Sequence, residues 1–190
     1  MILSPNEKVA GISQSEWSAA WWQWAGSFDR QDSPVADSSG EKCQLKQSGP
    51  VWFLAGTYGT KRTIRTCKIP RNKYLFFPLI NYVFMPSADK SCDCTCDMVK
   101  GYAESKTDDP AMLTLEIDGK RVKNLEAHRQ ATTQCFDMGA KTREKYRIFP
   151  SAANGYYVML PPLSHGKHVL NFGGALPSML QAVTYTLEVD

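Results

Sequence analysis

Between residues 47 and 81 the chain reads QSGPVWFLAGTYGTKRTIRTCKIPRNKYLFFPLIN. Two apolar runs, 51–55 and 74–80, flank a Gly/Thr turn and a basic stretch whose charges alternate with Thr, Ile and Cys. Aromatic and β-branched side chains suit a pleated sheet buried on at least one face, and Gly56, Gly59 and Pro70 hold each run to strand length. This stretch predicts the middle of a β-sandwich core. At 190 residues and 43% hydrophobic content, residues 1–190 suffice for a single domain with a substantial core. No apolar run reaches the roughly 18 residues of a membrane span. A net charge of +3 does not call for nucleic acid, and no nucleic-acid module motif accompanies it.

The flanks supply local signals. Ser13 and Glu16 form a capping box, predicting a helix to about Ala25 that stops at Gly26. Trp17, Ala20, Trp21 and Trp24 share one face of it, and burial is expected there, whereas Trp22 points elsewhere. Trp22 and Tyr58 are therefore the exposed-aromatic candidates. Further on, a helical excursion is expected over 98–104, a hairpin strand over 111–117 turning at Asp118-Gly119, and strands over 156–160, 167–172 and 182–189 with a Gly173-Gly174 loop between the last two. Together these predict an all-β fold, an antiparallel β-sandwich of jelly-roll-like or immunoglobulin-like type carrying a short Trp-rich N-terminal helix.

Six cysteines, Cys43, Cys67, Cys92, Cys94, Cys96 and Cys135, point in a strand-and-turn protein to disulfides and a secreted or periplasmic location. The 1–8 segment, MILSPNEK, carries no export signal, so a signal is expected to have been removed or replaced by an initiator Met. Cys43 and Cys67 flank one compact region and are expected to pair; Cys135 is expected to bridge to one of Cys92, Cys94 or Cys96. Were the thiols reduced, Cys92, Cys94 and Cys96 would suit one soft metal ion, and His165 with His168 a divalent one. Neither reading displaces the disulfide expectation, and no cofactor is called for. Asp29, Asp32, Asp37 and Glu41 lack the spacing of a calcium loop and read as turn formers.

Lys61, Arg62, Arg65, Lys68, Arg71 and Lys73 form a uniformly basic run, while the 89–109 segment is mainly acidic. The run suits a polyanionic glycan, and the two segments together suit head-to-tail assembly into a homo-oligomer or filament. The chain holds no nucleophile elbow, P-loop or dinucleotide fingerprint. A non-catalytic extracellular role is the leading expectation, as a self-associating structural subunit or a glycan-binding module. The alternatives are a hydrolase or lyase acting on an extracellular polymer, with acid/base groups among carboxylates or His128, His165 and His168, and the soft-metal module.

The set Trp17, Trp21-Trp22-x-Trp24, residues 49–57 (GPVWFLAGT), Cys67-x-Ile69-Pro70, Phe76-Phe77-Pro78-x-x-Asn81, Ile117-Asp118-Gly119 and Gly166-x-His168 resembles a group of predicted secreted bacterial proteins. The resemblance spans most of the chain and implies export and a single β-rich domain. It carries over no catalytic residue, and the 92–97 cluster CDCTCD is not part of the shared pattern.

Overall fold

The computed structural model describes residues 2–86, 93–142 and 147–190. Helix α1, Gln14–Ala25, starts where its capping box requires: the Ser13 hydroxyl accepts from Glu16 N and the Glu16 carboxylate from Ser13 N, at 2.9 Å for the latter. Gly26 caps its C-terminus. Nine strands follow among the described residues: β1 (Val51–Phe53), β2 (Thr63–Ile69), β3 (Tyr74–Phe84), β4 (Met112–Ile117), β5 (Lys120–Arg121), β6 (Arg129–Ala131), β7 (Ala152–Leu160), β8 (Gly166–Leu176) and β9 (Met179–Val189). Helix α2, Cys96–Ser105, lies between β3 and β4.

One sheet runs β1-β3-β7-β6 and the other β2-β9-β8-β4-β5. Their facing sides share a core in which the Phe77 and Phe172 rings lie 4.5 Å apart. Both sheets are mixed, which corrects the expectation of purely antiparallel pairing: β1 runs parallel to β3, and β2 parallel to β9. The cause is the path of the chain. It leaves the first sheet after β1, lays β2 into the second, and returns as β3, so β1 and β3 meet through a crossover and not a hairpin. The far face of the first sheet packs on α1, where Trp17, Trp21 and Trp24 bury against Phe53, Phe76, Tyr157 and Met159.

Gly173 and Gly174 make no loop. They sit inside β8 opposite Ala182 and Gln181, and the turn falls beyond them, at Pro177 and Ser178. A Cβ on Gly173 would come within 2.1 Å of the Gln181 carbonyl, and one on Gly174 within 2.8 Å of the Ile80 side chain. Both glycines serve close approach inside a strand.

Strand β3 carries one irregularity, beside the proline within it. Its pairing with β7 slips between Pro78 and Ile80, so Leu79 is an extra residue. Phe77, Leu79 and Ile80 belong to the inter-sheet core. The bulge thus shifts the alternation by one, and Asn81 emerges on the face that carries Tyr157 and α1.

Candidate binding cleft

Helix α1, the 54–62 loop, the bulge of β3 and the β8–β9 turn line a cleft of about 590 Å³. This lies within the usual range for small-ligand sites, roughly 300–1,000 Å³. Its aromatic wall comprises Trp21, Trp22 and Tyr58, its apolar wall Ile80, Leu176 and Met179, and its polar groups Asn81, Thr57, Thr60, Ser178 and Gln181. The two aromatic candidates of the sequence, Trp22 and Tyr58, therefore meet in one site. Tyr58 is 61% exposed, while Trp22 is half-buried.

Trp22 and Asn81 are held by one buried hydroxyl. The Trp22 indole N–H donates to the Tyr157 hydroxyl at 3.0 Å, and the Asn81 Nδ2 donates to the same hydroxyl at 3.1 Å. Tyr157 is fully buried, with its ring stacked on Phe76, and burial pushes its hydroxyl pKa well up, so it stays protonated. Opposite Asn81 in the ladder stands Gly155, where a Cβ would fall 2.6 Å from the Asn81 Cα.

Gln181 ties the bulge to the loop. Its Nε2 donates to the carbonyls of Pro78 at 2.8 Å and Leu79 at 2.9 Å, and its Oε1 accepts from Thr57 N at 3.1 Å. A bulge frees carbonyls from the ladder, and this side chain from the other sheet pairs them.

Arg65 holds the same loop from beneath, which corrects its place in the basic patch. It is 1% exposed. Its guanidinium donates to the carbonyls of Ala55, Gly56, Val35 and Asp37, between 2.7 and 3.1 Å, and to the Tyr185 hydroxyl at 3.1 Å. The other five basic residues of the run are partly exposed or exposed. Of these, Arg62 donates to Thr184 Oγ1, Arg71 to the Asp190 carbonyl and Lys73 to the Gly49 carbonyl. On the acidic segment, Asp108 pairs with Arg129 at 2.7 Å, and Asp89 lies outside the described residues.

No Asp, Glu, His, Lys or Arg is among the described residues lining the cleft. The three histidines stand apart from it. His128 is buried, its Nδ1 has no partner among the described residues, and burial lowers its pKa. His165 is exposed in a turn. The His168 Nδ1 lies 2.8 Å from Asp118 Oδ2, and its Nε2 lies 3.0 Å from the Ser164 carbonyl oxygen, so both ring nitrogens are engaged. The Asp37 carboxylate accepts from the backbone N–H groups of Ser39, Gly40 and Lys42, as a turn former does.

Cys43 bridges to Cys67, as the sequence predicts, and Cys135 to Cys96. Cys94 is likewise disulfide-bonded, while Cys92 lies outside the described residues. Oxidised in this way, Cys94 and Cys96 offer no thiolate to a metal, and no metal-ligating cluster occurs among the described residues. Among the described residues, no helix is long and apolar enough to cross a membrane.

No family model, no curated protein and no solved structure matches this chain. Asn81, Tyr157 and Gln181 are the site residues that the sequence did not single out by role. One signal for Asn81 was present: a proline within an apolar strand marks a bulge, and a bulge reverses which residues face the site.

Proposed function

We propose that this two-sheet protein, a β-sandwich of the jelly-roll-like or immunoglobulin-like class acting outside the cytosol, is a non-catalytic module that binds a neutral glycan in the cleft. The observation that carries this reading is the lining: aromatic rings beside neutral amides and hydroxyls, with no ionisable acid or base among the described residues except the Tyr58 phenol. A sugar ring has an apolar C–H face and a hydroxyl edge, so it pairs with an aromatic wall on one side and amide groups on the other. Glycosidic bond cleavage needs two carboxylates across the scissile bond, and the described lining offers none. A polyanionic glycan is less well served, because Arg65 is withdrawn from the basic run and three of its neighbours donate to carbonyls or a hydroxyl of the chain itself. Two disulfides among the described residues support an oxidising compartment.

The test is affinity chromatography on neutral polysaccharides followed by calorimetry with soluble oligomers. Tyr58→Ala, at an exposed position, should leave the melting temperature unchanged and weaken binding about three- to tenfold; Trp22→Ala should weaken it more than about tenfold. Retention that survives both changes would remove the cleft as the site.

A further inference from the structure

Resting on the glycan reading, the hydrogen-bond chemistry around Tyr157 narrows the ligand. An indole N–H can only donate, so the Trp22 contact makes the Tyr157 oxygen an acceptor and leaves the phenol proton to be placed. When the Asn81 amide turns its Nδ2 to that oxygen, the phenol proton finds no acceptor among the described residues. It cannot go to a ligand or to solvent, because Tyr157 has no exposed surface. A half-turn of the terminal amide brings Oδ1 to the same position. The chain from Trp22 N–H through Tyr157 O–H to the Asn81 carbonyl then satisfies every group, as buried polar groups require. Nδ2 then takes the place of Oδ1 on a residue that lines the cleft, released from the Tyr157 hydroxyl.

We infer that Asn81 presents its amide NH₂ to the ligand, and that the ligand is a glycan carrying acetamido groups, an N-acetylated hexosamine unit. An acetamido group offers a carbonyl oxygen to an Asn81 N–H and a methyl group to Ile80, Leu176 and Met179, which line the same cleft. A plain hexose would instead press hydroxyls against that apolar wall, where water is lost and no partner replaces it. A free amino sugar would bring an ammonium group into a lining that has no carboxylate among the described residues.

The experiment is calorimetric titration of the full chain with three trimers: N-acetylglucosamine, glucosamine, and β-1,4-linked glucose. The acetylated trimer is expected to bind at least about tenfold more tightly than either of the others. Asn81→Asp keeps an oxygen to accept the Tyr157 proton but replaces the NH₂ with a second oxygen. It should weaken the acetylated trimer about tenfold or more and strengthen the cationic glucosamine trimer. Equal wild-type binding of the acetylated and glucose trimers overturns the inference, as does an Asn81→Asp variant that melts normally and binds the acetylated trimer unchanged. Should none of the three bind while another neutral polysaccharide is retained, the inference fails alone. Failure to retain any neutral polysaccharide removes the glycan reading and the inference with it.

Discussion

Arg65 and His168 show how charge is placed in this protein one residue at a time. Arg65 shares strand parity with Cys67 and Ile69, both buried, so the inward direction of its side chain was present in the sequence. Its hydrogen-bond partners were not, because the carbonyls of Val35 and Asp37 from one segment and of Ala55 and Gly56 from another meet only in the fold. His168 lies between the Asp118 carboxylate and the Ser164 carbonyl, an arrangement that favours the doubly protonated ring. Partial burial works against the charged form, but the Asp118 hydrogen bond and the Ser164 carbonyl outweigh it and raise the pKa above its ordinary 6.5. For Asp118, burial is likewise outweighed by His168 and the Val169 N–H, so its pKa falls below its ordinary 3.8. The signs then fix a window. The His168 contribution is fully present below pH 6.5 and is lost as pH rises through the higher folded value; the Asp118 contribution is present above pH 3.8 and is lost as pH falls through the lower one. Because Asp118 is 44% exposed, the pair should contribute about 0.5 kcal/mol. The difference in melting temperature between wild type and His168→Gln should be largest near pH 5–6 and shrink toward pH 9; a constant difference would show that the ion pair contributes nothing.

Helix α1 was legible to the residue because a capping box and a C-terminal glycine are local signals, complete within the helix and the one residue that flanks it at each end. The strands were legible in place but not in partner. Parity and turn chemistry mark where β2 and β9 lie, while their parallel pairing depends on a crossover between sheets that no short window contains. The site suffered most from this limit. Tyr58 was readable as an exposed aromatic, whereas Trp22 is half-buried because its indole reaches in to Tyr157, and the meeting of both with Asn81 depends on the bulge at Leu79 and on Gly155 admitting the Asn81 backbone. Edge strand β2 illustrates how a loop completes an element. Thr66 N donates to Ser39 O at 2.9 Å, and Gly40, at φ +93°, approaches so closely that a Cβ would lie 2.2 Å from Thr66 O. The Cys43–Cys67 bridge anchors that cover over a sequence separation of 24. Replacing both cysteines with serine should cost about 3 kcal/mol. For a chain of this size that lowers the melting temperature by about 6–12 °C, measurable by calorimetry. A change of less than about 2 °C would mean that the loop is held without the bridge.

Across the whole molecule, two ligand chemistries are separated by where charge is and is not. The formal net charge is only +3, and the basic run is not a continuous patch: Arg65 is interior, and Arg62, Arg71 and Lys73 donate to groups of the chain itself. The cleft has no charged side chain among its described lining. A neutral ligand held there would be bound by stacking and short-range hydrogen bonds, which do not depend on the ionic atmosphere. A polyanion held by Lys61, Lys68 and their neighbours would instead bind through exposed charges, and those interactions are screened beyond about 10 Å at 0.1 M salt and about 3 Å at 1 M. Binding of a neutral oligosaccharide should therefore change less than about twofold between roughly 0.05 and 0.5 M salt. Titrations at several salt concentrations, on wild type and on Tyr58→Ala, distinguish the two. Salt-insensitive binding that Tyr58→Ala weakens places the ligand in the cleft, whereas an affinity that falls steeply with salt and ignores Tyr58→Ala would move it to the basic face and return the polyanionic glycan as the partner.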